Sequence, residues 1–188
     1  MPPKAKFSRE QIVKGAFDIV RKNGMSALTA RRLGEALGSS ARPIFTVFES
    51  MDEVIAEVVK SAKNLYASYV QRGLSSAPAF KGVGTQYIMF AVEEPQLFRL
   101  LFMTVNGEAN SDNVLPIIDE NYDDILLSVK NEYGLNLDKA KNIYMHMWIY
   151  THGIATMCAT RTCSYTGDEI SRMMTEVFIG LLKSEEKK

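Results

Sequence analysis

The stretch from Leu28 to Val54 constrains the fold of this chain more than any other part of the sequence. Thr29 is a favourable helix N-cap, and apolar residues follow it at helical spacing until Gly38, where a left-handed residue would close the helix. A second helix is predicted over Ala41–Phe48, with Pro43 in its first turn, where a missing N–H costs little. Two short helices joined by a tight turn form a helix-turn-helix.

The second of these helices has an apolar side and a polar side. Ile44 and Phe48 belong to the apolar side, whereas Arg42 and Thr46 are left to point outward. Small and basic residues on the outer side are typical of a helix that enters the major groove of DNA. Many helical hairpins share this spacing, so the prediction of DNA binding depends on the small and basic residue types rather than on the spacing.

The charge distribution agrees with a DNA-binding N-terminus. The chain has no net charge, but residues 1–50 carry nine Lys and Arg against four Asp and Glu, a balance of +5. Residues 51–188 carry the remaining thirteen basic and eighteen acidic residues, a balance of −5. A basic head on an acidic body is expected of a protein that binds double-stranded DNA.

The helix-turn-helix resembles the DNA-binding domain of the tetracycline-repressor (TetR) family of transcriptional regulators. In that family the first helix begins with Thr, and the turn carries Gly before a capping Ser. The next helix carries an aromatic residue, a two-residue spacer and Phe, and a Ser follows it. The corresponding residues here are Thr29, Gly38, Ser40, Phe45, Phe48 and Ser50. By this resemblance the residues expected to meet operator DNA are Thr29, Arg31, Ser40, Ala41, Arg42, Phe45 and Thr46.

Three residues depart from the family pattern. Phe45 replaces the usual Tyr and cannot donate a phenolic hydrogen bond to phosphate, and Met51 replaces a Lys that usually meets the DNA backbone. Gly34 replaces an Ala in the middle of a helix, at a cost of roughly 1 kcal/mol in helix propensity. Together these residues predict weaker binding to the DNA backbone and leave the predicted fold unchanged.

The periodicity of the whole chain predicts an all-α protein of about nine helices, because the sequence contains no convincing strand and no internal repeat. We place a three-helix head in residues 1–49 and a helical body for ligand binding and dimerisation in residues 50–188. A long helix from Ser50 to about Arg72 links them, and Gly73–Ala79 is the clearest linker. Asn106–Asn113 is expected to form a polar loop.

Two segments of the body extend the resemblance. The sequence EPQLFRLLF from Glu94 resembles a segment common in C-terminal domains of the family, and WIYTHG from Trp148 resembles the Trp-His-Gly signature of one subgroup. The resemblance implies a homodimer held by the last two helices, which are predicted as Asp138–Cys163 and Asp168–Leu182, the first capped by Asp138. The residues assigned to this interface are Met174, Val177, Phe178 and Leu181.

The body is rich in Met and aromatic residues, and two interpretations of them stay open. They can form an ordinary core, or some of them can line an apolar pocket for a small-molecule effector. The resemblance favours the pocket, which we place between the Phe80–Val92 helix, the short helix at Pro95 and the face of Trp148. The assigned ligand-binding residues are Tyr87, Phe90, Phe98, Phe102, Met103, Tyr144, Trp148 and His152.

Catalysis, metal binding and cofactor binding are not expected. The chain has no glycine-rich phosphate loop and no nucleophile motif. His146 and His152 are six residues apart on a predicted helix and point in different directions. A cluster of carboxylates is assigned to a solvated helical face and consists of Asp119, Glu120, Asp123 and Asp124.

The sequence also predicts the compartment. No stretch reaches the ~18 uninterrupted apolar residues of a membrane span, and the N-terminus lacks an apolar signal core. Cys158 and Cys163 are more consistent with free thiols than with a disulfide, since five residues along a helix does not point their Cβ atoms at each other. We therefore expect a cytoplasmic protein.

These observations predict a ligand-responsive, DNA-binding transcriptional regulator. We expect a homodimeric repressor that a small apolar or amphipathic molecule releases from its operator. The alternative is a helical ligand-binding or adaptor protein whose head has lost DNA binding, because Phe45 and Met51 remove two contacts with the phosphate backbone.

Overall fold

The computed structural model describes residues 6–103, 115–116 and 119–186, and all regular secondary structure within these residues is helical. Two single 3-10 turns, Met25–Ala27 and Ile44–Thr46, lie near the N-terminus. None of the helices in the described residues is both long enough and apolar enough to cross a membrane. The helical secondary structure of the described residues confirms the predicted all-α class. The α-helices are α1 (Arg9–Asn23), α2 (Ala30–Ala36), α3 (Met51–Leu74), α4 (Ala79–Glu93), α5 (Pro95–Phe102), α6 (Tyr122–Glu132), α7 (Leu137–Ala159) and α8 (Gly167–Glu186).

The chain divides into two compact units. The head unit consists of residues 1–65 and 96–104, and the body unit consists of residues 66–95 and 105–188. The division falls within α3, between Leu65 and Tyr66, whereas the sequence-based boundary lies between residues 49 and 50, just before α3 begins. Helix α3 therefore contributes residues to both units.

Helix α1 begins with two reciprocal hydrogen bonds between Ser8 and Gln11. The Ser8 side chain accepts a hydrogen bond from the Gln11 amide, and the Gln11 side chain accepts one from the Ser8 amide. This reciprocal pair is a capping box, which satisfies two backbone donors at a helix start. The helix ends at Gly24, whose φ of 82° favours glycine.

The second helix of the helix-turn-helix differs from its prediction. Instead of an α-helix over Ala41–Phe48, the chain makes a turn and then the 3-10 segment Ile44–Thr46. The amide of Thr46 donates to Pro43 O at 3.3 Å, and the amide of Val47 donates to Ile44 O at 3.0 Å. These are three-residue spacings, which tighten the backbone in short segments.

Gly34 allows α2 to lie very close to this segment. A Cβ at Gly34 would lie 2.6 Å from the carbonyl carbon of Ser40 and 2.8 Å from the amide nitrogen of Ala41. The Ser39 amide also donates to Gly34 O at 2.8 Å. Glycine at this family Ala position therefore has a packing role, since it brings the turn directly against the helix.

Arg9 ties α1 to the start of α3. Its guanidinium carbon lies 4.3 Å from the centroid of the buried Phe48 ring. Its two terminal nitrogens form ion pairs with Glu53 at 2.8 Å and Glu57 at 2.9 Å. These three side chains are partly exposed, so the ion pairs orient α1 against the start of α3 but add little to the free energy of unfolding.

Two contacts hold α4 in the body unit. A Cβ at Gly73 on α3 would lie 2.5 Å from Val83 Cα, and a Cβ at Gly82 would lie 2.4 Å from Gly73 O. The backbones of α3 and α4 therefore meet at a pair of glycines. At the start of α4, the Glu132 carboxylate accepts hydrogen bonds from the amides of Ala79 and Phe80 at 3.1 and 3.2 Å.

The penultimate helix begins and ends differently from its prediction. Asn136, and not Asp138, caps it, because the Asn136 side chain accepts from the Lys139 amide at 2.9 Å. The helix ends at Ala159 instead of Cys163, since Arg161 adopts a left-handed φ of 58° and the next two amides donate back to Met157 O. The last helix is longer than predicted at both ends. The predicted loop over residues 106–113 lies outside the described residues.

Candidate DNA-binding surface and ligand cavity

The residues assigned to DNA binding lie at the surface of the head unit. Ala41 is half-buried, and the other six are exposed: Thr29, Arg31, Ser40, Arg42, Phe45 and Thr46. Phe45 leaves 47% of its surface exposed. The assignment to DNA stays a prediction, but these residues are accessible to a partner.

Buried residues hold this surface from behind. Ile44 and Phe48, which flank the exposed pair Phe45 and Thr46, are buried in the head core. The Thr46 hydroxyl donates to Pro43 O at 2.7 Å, which fixes its rotamer. The exposed side chains are therefore presented by a rigid segment even though it is not an α-helix.

One of the exposed basic residues is paired within its own helix. Arg31 Nε lies 2.9 Å from Glu35 Oε1, four residues along α2, and both side chains are largely exposed. An exposed pair of this kind contributes little to stability and is easily exchanged. A phosphate oxygen can therefore replace Glu35 as the partner of Arg31.

The body unit encloses a cavity of about 340 Å³. Five parts of the unit supply its walls: the end of α3, α4, α6, α7 and α8, with the residue Asp119 ahead of α6. Most of the lining is apolar, as is usual for ligand pockets. The aromatic residues of the lining are Tyr66, Phe80, Tyr87, Tyr133, Tyr144, Trp148 and Phe178.

The structure brings together some of the predicted ligand-binding residues. Tyr87, Tyr144 and Trp148 line the cavity. Phe90 lies in the core behind it, with its ring centroid 5.3 Å from that of Tyr66. His152 is outside the lining but touches two lining residues, as described below.

The remaining predicted ligand-binding residues belong to the head unit. Phe98 is fully buried on α5, and its ring centroid lies 5.4 Å from that of Phe102. Met103 follows α5 and is exposed. None of the three lines this cavity, so the short helix at Pro95 does not supply the wall that the sequence assigned to it. The reason is that Phe98 faces the core of its own unit.

Three buried polar atoms of α7 lack hydrogen-bond partners among the described residues: the Tyr144 hydroxyl, Trp148 Nε1 and Thr156 Oγ1. Tyr144 and Trp148 lie one helical turn apart and line the cavity, whereas Thr156 does not. Tyr144 exposes only 4% of its surface. A buried donor without a partner costs about 1–3 kcal/mol. Polar groups left unsatisfied beside a cavity are consistent with a ligand that completes them.

Asp119 is the lining residue that the sequence-based reasoning placed wrongly. It was assigned to a solvated face, yet only 2% of its surface is exposed, whereas Glu120, Asp123 and Asp124 are exposed as expected. Its Oδ1 accepts from the amide and the side-chain nitrogen of Asn121, two residues later in the chain. This hydrogen bond from the amide two residues later makes an Asx turn, which the sequence alone does not distinguish from an exposed carboxylate.

A stacked pair connects the cavity wall to a histidine. The rings of Trp148 and His152 are 4.8 Å apart and nearly parallel, at 14°. The Tyr87 hydroxyl lies 2.9 Å from His152 Nδ1. Burial lowers the pKa of His152, which favours the neutral ring, and the tautomer of that ring decides which of the two groups donates. Trp148 therefore lies between the cavity and a titratable group.

Two residues assigned to the dimer interface face the interior of their own chain. Met174 is buried, and Phe178 lies with its ring centroid 5.9 Å from Phe80 and 4.6 Å from Tyr133. Both line the cavity. A role in dimerisation is not tested by these contacts, but a charged residue at Phe178 would also disrupt the cavity wall.

The other two residues of that assignment lie nearer the surface. Val177 and Leu181 are half-buried on α8. Close to them in sequence, Ile179 leaves 44% of its surface exposed, and on α7 Ile149 leaves 56% exposed. Both helices thus carry large apolar side chains that the described part of the chain does not cover.

The described residues contain no group of three or more His, Cys, Asp or Glu that could hold a metal ion. Cys158 and Cys163 are free thiols and both are half-buried. Burial raises the pKa of Cys158, which keeps this thiol protonated.

A helical head unit and a helical body unit with an apolar cavity are consistent with a transcriptional regulator. Residues 80–178 match the family described as tetracyclin repressor-like, C-terminal domain. This match covers more than half of the chain, so the chain belongs to the TetR family. It does not address the Trp-His-Gly subgroup, which stays a prediction.

A solved structure agrees in fold. A transcriptional regulator from Rhodococcus sp. RHA1 is similar to this chain with a TM-score of 0.64 and 13% sequence identity, covering 95% of this chain and 97% of that one. At this identity the likeness concerns the fold alone. Comparison with curated proteins gives no match.

Proposed function

We propose that this TetR-family regulator is a ligand-responsive repressor that binds operator DNA through its head unit. The observation that carries the proposal is the surface formed by Arg42, Phe45 and Thr46, which are exposed while the adjacent Ile44 and Phe48 are buried. A rigid exposed segment with a basic residue suits the major groove, and the basic balance of the first fifty residues supplies attraction to phosphate.

We further propose that the active form is a homodimer. Two heads about 34 Å apart would occupy successive major grooves on one side of the duplex. The family resemblance assigns the contact to the last two helices, α7 and α8. Ile149 and Ile179 support this assignment, because large exposed apolar side chains on both helices favour association. Val177 and Leu181 lie on the same helix as Ile179.

The cavity of the body unit is the proposed effector site. Its volume lies near the lower end of the roughly 300–1,000 Å³ of ligand pockets. Tyr87, Tyr144 and Trp148 would contact a small apolar or amphipathic molecule. Such a molecule can release DNA only if it binds one arrangement of the protein more tightly than another. Helix α3, which is continuous between the units, is the proposed link.

The test is a fluorescence-anisotropy titration with duplex DNA that the purified protein has selected from a random pool. Arg42→Ala is expected to weaken binding by roughly 1–3 kcal/mol, the value of one good base contact. Arg172→Ala removes the same charge from an exposed position on α8 and serves as the matched control. Equal effects of the two variants, or no effect of either, would contradict the proposed orientation of the Arg42 segment.

The second candidate is a ligand-binding or adaptor protein that no longer binds DNA. It is favoured by Phe45, which presents an exposed ring without a hydroxyl, and by Met51, which begins α3 where the family usually has Lys. The same titration at low salt separates the two functions, since backbone contacts are strongest there. Absence of binding to any duplex at low salt would establish the adaptor as the better description.

A further inference from the structure

The cavity contains a buried carboxylate whose charge no protein cation neutralises in the described part of the chain. Asp119 lines the cavity and exposes 2% of its surface. It forms no ion pair with the Lys, Arg or His side chains of residues 6–103, 115–116 and 119–186. Removing an unpaired carboxylate from water costs several kcal/mol even after relaxation.

Neutral donors stabilise this carboxylate in part. The Tyr66 hydroxyl donates to Oδ2 at 2.7 Å. The amide and the side-chain nitrogen of Asn121 donate to Oδ1 at 2.9 and 3.0 Å. Both oxygens of Asp119 thus act as acceptors, which is the hydrogen-bonding pattern of an ionised carboxylate. The negative charge is fixed in place but is not cancelled.

Aromatic rings line the same cavity as the carboxylate. Tyr66, Tyr87 and Tyr144 all line the cavity, and the Tyr66 and Tyr87 rings meet edge to face with their centroids 6.0 Å apart. Burial, and next the nearby charge of Asp119, raise the pKa of each of these three phenols. They therefore remain neutral, and neutral aromatic faces attract cations.

Lys81, the cationic residue of the lining, is more exposed to water than Asp119. Lys81 lines the cavity from α4 but is partly exposed, so water can solvate its ammonium. Asp119 has no such access. The energetic need for a counter-charge is therefore greater at the carboxylate than at the lysine, and it favours a cationic ligand over an anionic one.

We propose that the cavity binds an amphipathic organic cation, with its ammonium group against Asp119 and its apolar part among the aromatic side chains. This inference rests on the proposed function, because it specifies the chemical class of the effector. The ammonium supplies the missing counter-charge, and Tyr66, Tyr87 and Tyr144 add cation–π attraction in a mostly apolar site.

The experiment compares three probes of similar size and different charge. They are benzyltrimethylammonium, its neutral isostere neopentylbenzene, in which carbon replaces nitrogen, and benzylsulfonate. Binding to the full chain is followed by the emission of Trp148, which is the only tryptophan in the sequence and lines the cavity. The cation is expected to bind about tenfold more tightly than the neutral isostere, and the anion most weakly.

Two variants locate the effect. Asp119→Asn removes the charge at nearly constant shape and is expected to weaken binding of the cation about tenfold while leaving the neutral probe unchanged. Asp124→Asn makes the same change at an exposed site on α6 and should alter neither probe. The ranking of the three probes by the unmodified protein tests the proposal even if Asp119→Asn fails to fold.

Three outcomes would overturn the proposal: equal binding of the cation and its neutral isostere, tighter binding of the sulfonate, or binding of none of the three probes. The operator titration without ligand is measured separately and decides DNA binding on its own. A protein that binds DNA but shows no preference for the cation refutes only the cationic effector. A protein that prefers the cation but binds operator DNA equally well in its presence supports the cation site and refutes release of DNA by this probe.

Discussion

Replacing Gly34 with alanine restores the residue that the family usually has, and we expect this change to weaken the head unit. Helix propensity alone would make Gly34→Ala stabilising by roughly 1 kcal/mol. The added Cβ, however, would lie 2.6 Å from the carbonyl carbon of Ser40 and 2.8 Å from the amide nitrogen of Ala41. The expected result depends on which effect is larger.

The contacts favour the steric effect. Ordinary contacts of a Cβ begin at 3.4 Å, so the turn after α2 must move by about 0.8 Å, the difference between 3.4 and 2.6 Å. The obstructing atoms are backbone and cannot rotate away. Overpacking of this kind costs about 1–3 kcal/mol, which exceeds the gain in propensity by about 1 kcal/mol. Ser40 and Ala41 are predicted to contact DNA, so their displacement should also lower affinity.

Urea unfolding followed by circular dichroism measures the first effect, and anisotropy with the selected duplex measures the second. Gly180→Ala is the matched control, because Gly180 lies within α8 and no atom lies within 4 Å of an added Cβ. This control is expected to gain roughly 0.5–1 kcal/mol. A Gly34→Ala protein that is more stable than the unmodified chain and binds DNA equally well would refute the reasoning.

Three further predictions concern the body unit. Ile149→Lys should give a folded monomer by analytical ultracentrifugation, because it places a charge on an exposed apolar side chain; an unchanged dimer would exclude this face of α7. Burial lowers the pKa of His152 below its ordinary value of 6.5. The neutral His152 should therefore contribute its full share to the free energy of unfolding above pH 6.5, and this contribution should be lost as the pH falls through the lowered pKa. The free energy of unfolding in urea should rise with pH across this range, and His152→Gln should abolish that dependence on pH. Glu132→Ala should cost about 1 kcal/mol in urea unfolding, since it removes the acceptor at the start of α4; no loss would mean that water replaces it.

The sequence predicts best where the determinants are local. The Thr29 N-cap depends on residues within one helical turn, and the structure confirms it, because the Thr29 hydroxyl accepts from the Arg32 amide at 3.1 Å. The Ala41–Phe48 α-helix was predicted from the same kind of signal and is wrong, because the amides of Ile44, Thr46 and Val47 bond to carbonyls three residues back instead of four. The all-α class follows from periodicity over the whole chain, and the structure confirms that also.

The cavity was predicted only in part, because its lining depends on which helix faces are brought together. Tyr87, Tyr144 and Trp148 are large residues on long helices, and they line it. Phe98 has the same character but is buried in the other unit. Asp119 resembles its exposed acidic neighbours in sequence, and only the position of Tyr66 more than fifty residues earlier gives it a buried donor.

The meeting of α3 and α4 at Gly73 and Gly82 determines which motions the cavity wall can make. Sliding α4 by one residue would bring a side chain to a point where the backbones leave no room for a Cβ, so translation along the contact is blocked. Rotation about the contact keeps the two glycines together. We therefore expect the glycine pair to act as a pivot near one end of α4, with a displacement that grows along the helix. Since Glu93 lies about 16 Å from Gly82 along the axis, a rotation of about 10° would move it by about 3 Å.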